Sequence, residues 1–167
     1  RSGLGFAKDF NKKSKEELLE MLKTPSSERH FQMYEAIRKG ATDEEIFAAT
    51  YEKAYFVQQM RELVELEEEM LKTPGRLPSD ELLVKAKKDG FSDKYIAYLW
   101  KCHELDVYKM RKENNLFPAF KMVDTCHTGA YIPYFYSTYT GENASRLTDR
   151  KKIVVLGAGP IRIGQGV

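Results

Sequence analysis

The 167-residue chain has only two cysteines, Cys102 and Cys126. That number cannot build the disulfide framework of a small secreted domain, so a reduced compartment is the simplest reading. No apolar run approaches the roughly eighteen residues that a membrane-spanning helix needs. The amino terminus lacks the basic, apolar and small-residue succession of a secretory leader. A cytoplasmic location with no membrane partner is therefore expected. Charge of one sign is also missing. The 27 basic and 25 acidic residues leave a net charge of +2 and a pI near 8.4, an imbalance too small to draw nucleic acid or anionic lipid. Adjacent Cys102-His103 and Cys126-His127 are the nearest thing to a metal motif. Neighbouring side chains do not readily converge on one tetrahedral ion, and no metal site is expected.

What is present is ordinary globular material, 42% hydrophobic and 31% charged, enough for one domain with a small appendage. The opening Arg1-Ser2-Gly3 suits an internal piece of a longer protein. The first half reads as helices by its punctuation. Ser14 with Glu17 makes a capping box ahead of Leu18, Leu19, Met21 and Leu22, and Pro25 ends that helix. A second starts near Ser26 or Ser27, carries Phe31, Tyr34 and Ile37, and stops at Gly40. Thr42 with Glu45 forms another capping box leading into Ile46, Phe47 and Ala49. The longest helix is predicted from about Glu52 to Lys72, with Val57, Val64 and Leu71 seven apart and Phe56, Met60, Leu63 and Met70 widening the stripe. Glu67 falls where a coiled-coil seam wants an apolar side chain, so a partly covered face is expected rather than a zipper. The stripe residues Phe56, Met60, Leu63, Val64 and Met70 are the candidate self-association surface. After a break at Pro74, Gly75 and Pro78, Ser79 opens a helix that runs to Gly90, and Ser92 caps the next. His103 lies on the stripe of Ile96, Leu99, Trp100, Val107 and Met110, where a hydrogen-bonded core histidine is expected.

An echo runs through this region at an offset of fifty residues. Gly40, Thr42, Asp43, Ile46, Val57, Met60 and Arg61 recur as Gly90, Ser92, Asp93, Ile96, Val107, Met110 and Arg111. Each copy reads as a glycine-closed helix, a short capped helix and a longer helix with an apolar and basic face. Such units stack because neither buries its apolar side alone. The same unit could be a helix-turn-helix that binds nucleic acid. Against that, Glu62, Glu65, Glu67, Glu68 and Glu69 on the first copy would repel phosphates, although Lys101, Lys109, Arg111 and Lys112 make the second more permissive.

Beyond Asn115 the pattern turns extended. Phe117-Pro118 disfavours helix, Phe120 and Met122 alternate, and Tyr131, Tyr134, Phe135, Tyr136 and Tyr139 form an aromatic stretch suited to strands or a wrapping segment. Asp124-Thr125 has the chemistry of a local turn. Residues 141–150 read as a polar linker. Ile153, Val154, Val155 and Leu156 then form a short apolar run that fits a buried parallel strand. Gly157 and Gly159 allow a sharp turn whose free backbone donors would attract an anion. The third glycine of the dinucleotide fingerprint is absent, because Arg162 stands there and Gly164 and Gly166 arrive later.

Three strings give this reading a family. GAGPIRIGQGV from Gly157, FKMVDTC at Phe120–Cys126 and YFYSTY at Tyr134–Tyr139 together resemble the large subunit of carbamoyl phosphate synthetase. FVQQMRELVELEE at Phe56–Glu68 and KDGFSDKYIAYLW at Lys88–Trp100 resemble its helical middle region. The resemblance implies a mainly α fold: a helical oligomerisation domain over 1–140 with a short extended segment, a linker over 141–150, and one appended strand in 151–167 that begins the second synthetase half. It also implies a parent ligase that uses bicarbonate, two ATP with magnesium or manganese, and ammonia from a glutamine-hydrolysing small subunit, to feed arginine and pyrimidine synthesis. No catalytic residue or cofactor is expected within these residues. The family loop falls on Gly157, Gly159, Arg162, Gly164 and Gly166, with Arg162 either meeting an anionic group or forming a salt bridge that orders the loop. After VDTC the family's small-then-acidic run is replaced by His127-Thr128-Gly129-Ala130.

Overall fold

In the computed structural model the described residues are 7–72, 79–124, 127, 129–131 and 134–156, with the backbone alone for Ala7 and Lys8. The helix starts at Ser14, Thr42, Ser79 and Ser92 coincide with the expected polar caps, whereas the second helix starts after Glu28, past Ser26 and Ser27, with no side-chain cap. Ser14 Oγ accepts from the Glu17 N–H at 3.2 Å while the Ser14 N–H donates to Glu17 Oε2 at 2.8 Å, which opens α1 (Lys15–Leu22). After α2 (Arg29–Arg38), Thr42 and Glu45 exchange the same two bonds and open α3 (Asp43–Thr50). Each box satisfies two of the donors that a helix start leaves bare. The predicted long helix is α4 (Ala54–Leu71). It begins two residues later than expected, because Tyr51 takes a left-handed conformation (φ 59°) that ends α3 and Lys53 is extended. Ser79 caps α5 (Asp80–Lys88) and Ser92 caps α6 (Asp93–Trp100), and α7 (Glu104–Glu113) follows. A 3-10 turn over Ala7–Lys12 precedes α1 and buries Phe10.

The expectation of a core histidine on a continuous stripe is corrected at this point. Lys101 turns left-handed (φ 55°) and breaks the chain between α6 and α7. His103 is therefore exposed and serves as the N-cap of α7, its Nδ1 accepting from the Leu105 N–H at 3.3 Å.

The fifty-residue echo is a structural repeat. Gly40 and Gly90 close α2 and α5 with φ of +84° and +91°, a region that a side chain would strain. The next residue then donates back into the helix, Ala41 to the Ala36 carbonyl and Phe91 to the Ala86 carbonyl, each at 2.9 Å. Ile46 and Ile96, and likewise Val57 and Val107, are fully buried at matching positions.

The two repeats do not stack as separate blocks, because α4 belongs to both. Val57 and Val64 enter the first core with Leu18, Leu22, Tyr34 and Ile46. Leu66 and Met70 enter the second with Leu83, Ile96, Trp100 and Val107. Leu63 packs against both. Spacings of seven and of four keep each pair on one face, and the two-residue step from Val64 to Leu66 turns the second pair to the opposite side, so α4 is a shared wall.

The extended segment forms an arm on the second repeat. Strands β1 (Ala119–Met122) and β2 (Phe135–Thr138) pair antiparallel, with Ala119 opposite Thr138 and Met122 opposite Phe135. The Asp124 carboxylate accepts from the Gly129 N–H five residues on, at 2.8 Å, and Thr125 of the expected local turn lies outside the described residues. Part of the predicted linker lies along β1, since the Ala144 N–H donates to the Phe120 carbonyl at 2.8 Å and Asn143 Oδ1 accepts from the Phe120 N–H at 3.3 Å. The appended strand is a correction. Residues 151–156 join no sheet, and Ile153, Val154, Val155 and Leu156 are almost fully exposed. A parallel strand is built by its neighbours, and β1 and β2 are engaged with each other.

Candidate functional sites and the family

Three features stand out on this frame, beginning with a buried polar cluster that ties α2 to α4. Glu67 on α4 and Glu35 on α2 are both fully buried. Arg38 spans them: its Nε donates to Glu35 Oε2 at 3.2 Å, its Nη2 to Glu67 and its Nη1 to Glu68. Tyr34 donates its hydroxyl to Glu67 Oε2 at 2.5 Å. Tyr95 of the second repeat feels the same carboxylate. The apolar face of α4 is partly covered, as expected, but Glu67 itself is buried, because partners from α2 take up its charge. Burial of a carboxylate is tolerated when its lone pairs are taken by charged and hydroxyl donors. Burial works against the Arg38 charge, but Glu67 and Glu35 outweigh it and raise the guanidinium above its ordinary value.

Burial first, and the Glu67 charge second, push the phenols of Tyr34 and Tyr95 well above the ordinary tyrosine value. An unfolded tyrosine ionises near pH 10, roughly, while the folded ones hold their protons beyond it. Their contribution is thus whole below about pH 10 and is lost as the pH rises past the unfolded value toward the folded one. Urea titrations are expected to show stability falling steadily above about pH 10, with Tyr34→Phe shallower in that limb. Equal slopes for the two proteins would contradict the assignment to Tyr34.

The second feature is repeated. Arg61 Nη2 reaches Asp43 Oδ1 at 2.5 Å and the Ala41 carbonyl at 3.1 Å. Its counterpart Arg111 donates through Nε to Asp93 Oδ2 at 2.9 Å and through Nη1 to the Leu116 carbonyl at 3.1 Å. Lys87 joins the second copy, 2.7 Å from Asp93 Oδ1 and from the Phe91 carbonyl. These hydrogen bonds oppose the burial of Asp93 and hold its carboxyl below the usual aspartate value. Both arginines are thus committed to aspartates and carbonyls and are not presented to a duplex as free cations.

The third feature is an exposed aromatic face. Phe47 and Tyr51 meet edge-on at 5.8 Å between ring centroids, as do Tyr55 and Phe56 at 5.4 Å. All four are half or more exposed, Tyr51 by 80%. Beside Phe56, a groove of about 240 Å³ is lined by Arg29, His30, Met33, Glu52 and Met60. The candidate self-association stripe is divided by this arrangement. Phe56 is exposed, Met60 and Leu63 are half-buried, and Val64 and Met70 are buried in the chain's own two cores, so the last two cannot meet a partner. The shared position of α4 is the reason. Phe47, Tyr51 and Tyr55 were missed because they do not fall on the α4 stripe; their signal was large aromatics on the outward side of a helix junction.

The glycine loop, with Gly157, Gly159, Arg162, Gly164 and Gly166, lies outside the described residues, as does Cys126. Cys102 is a free thiol, pushed up by burial and then by Asp106, and is not positioned to react at neutral pH. Among the described residues no cluster of His, Cys, Asp or Glu could hold a metal ion. No helix among them is long and apolar enough to cross a membrane.

The family model for the oligomerisation domain of the carbamoyl-phosphate synthetase large chain matches residues 1–115. The chain belongs to this family. The match takes in all seven α-helices of the described residues and stops as α7 gives way to the arm. It sets these helices in the context of a ligase and gives them a scaffold role in it. In this chain α4, which contributes to both cores, joins the two repeats, and the cluster around Glu67 fastens α2 to it.

Proposed function

We propose that the chain is the scaffold and self-association domain of a carbamoyl phosphate synthetase large chain. The parent enzyme would make carbamoyl phosphate from bicarbonate, two ATP and ammonia delivered by a glutamine-hydrolysing small subunit, in the cytoplasm, for arginine and pyrimidine synthesis. ATP and magnesium or manganese would bind in other domains, and these helices alone would turn over no ATP. The loop at Gly157, Gly159, Arg162, Gly164 and Gly166 would serve the intact enzyme, with Arg162 either meeting an anionic group or ordering the loop.

The family match carries this reading. The exposed face of Phe47, Tyr51, Tyr55 and Phe56 supports the self-association part, with the Met60 groove beside it. Large aromatic rings with low conformational entropy are the usual anchors of an interface, and a twofold pair is the default arrangement for a self-complementary patch. Sedimentation at rising protein concentration is expected to show a reversible dimer. Phe56→Asp should weaken it by about tenfold or more while leaving the helical spectrum intact, because the ring is exposed in the single chain. A chain that stays monomeric at high concentration, or a dimer indifferent to Phe56→Asp, would contradict this face.

A further inference from the structure

The Asp–Arg pair occurs twice, but among the described residues only the second copy is covered by an aromatic ring from elsewhere in the chain. Tyr139, the residue after β2, places its ring 4.8 Å from Lys87 Nζ and 5.6 Å from the Arg111 guanidinium carbon. Exposure records the difference. The Arg111 and Asp93 side chains are 10% and 15% exposed, against 29% and 28% for Arg61 and Asp43. The first copy has Ile37 at the position of Lys87 and so carries one cation fewer.

We propose that Lys87, Asp93 and Arg111 form a receptor for one aromatic ring, that Tyr139 fills it, and that this latch fixes the arm to the second repeat. Asp93 holds the two cations side by side, each by a direct ion pair, and so relieves their repulsion. Two positive groups near one ring meet the negative face of its π cloud, an attraction that strengthens when the groups are shielded from water. Arg111 also accounts for why the arm leaves where it does. Its Nη1 binds the Leu116 carbonyl, where the chain departs from α7, and its guanidinium meets Tyr139, where the chain returns from β2. One arginine therefore grips the arm at its entry and its exit. The chain that continues from residue 140 starts from a point set by the second repeat, and Tyr139 is the positioning residue.

The ring, and not the hydroxyl, is the recognised group, which separates the latch from simple packing or hydrogen bonding. Amide hydrogen exchange of Ala119–Met122 and Phe135–Thr138 in the full chain reads the arm directly. Tyr139→Leu keeps apolar bulk but loses the π face, and should speed exchange of these amides by about tenfold while leaving α2 and α3 unchanged. Tyr139→Phe should leave the arm protected. Lys87→Met should speed it less than Tyr139→Leu, and the double change should add little to Tyr139→Leu alone. Full protection in Tyr139→Leu would overturn the proposal. Equal loss in Tyr139→Phe and Tyr139→Leu would also overturn it, because the hydroxyl would then be the group that matters.

Discussion

Arg38→Met is expected to remove about 3–5 kcal/mol of stability, the largest single loss in the fold. The guanidinium is the cation between two fully buried carboxylates, Glu35 and Glu67, and it also reaches Glu68 at the edge. Methionine keeps much of the stem's volume and leaves both carboxylates buried without their positive partner. Urea denaturation at neutral pH measures the loss. Adding Glu35→Gln and Glu67→Gln to the methionine background should recover part of it, because the greater cost lies in the stranded charges and not in the missing attraction. A loss below about 1 kcal/mol for Arg38→Met, as at exposed ion pairs, would show that the cluster does not hold α2 to α4.

Ile46→Ala and Ile96→Ala form the second test. Each isoleucine is fully buried at the equivalent place in its repeat, one in the first core and one in the second. Each truncation removes transfer energy and leaves a cavity, for an expected loss of about 2–5 kcal/mol. Because α4 contributes to both cores, each change should shift one shared unfolding transition and keep its denaturant slope. A variant that splits the transition in two, with one half at the original midpoint, would place the boundary between the repeats at a weaker seam than α4.

The caps and the repeat were legible because their chemistry is local. A hydroxyl ahead of an apolar run satisfies bare helix donors, and Ser14 and Thr42 do so with a glutamate three residues on while Ser79 and Ser92 cap alone. The glycine closures and the apolar positions of both repeats follow from the same kind of short-range pattern. The division of α4 between two cores was not legible. Its apolar residues read as one wide stripe, and Glu67 read as a sign of exposure, because its partners Tyr34 and Arg38 lie 33 and 29 residues away in sequence. The candidate self-association surface drew in Val64 and Met70 for the same reason. His103 was misjudged because periodicity runs smoothly across a break that a single left-handed residue, Lys101, introduces. The run Ile153–Leu156 has the composition of a strand without a sheet to enter. The paired Asp43–Arg61 and Asp93–Arg111 were present in the echo as matched acids and bases 18 residues apart, yet nothing local in Tyr139 connected it to them.

Native-state hydrogen exchange tests the central claim, that α4, with α2 fastened to it around Glu67, makes the two repeats one scaffold body. The slowest amides of α3 and of α6 should open with a common free energy equal to that of global unfolding, and Arg38→Met should lower both together. If the amides of one repeat kept their protection while those of the other opened at lower free energy, the repeats would be independent units and the account would fail.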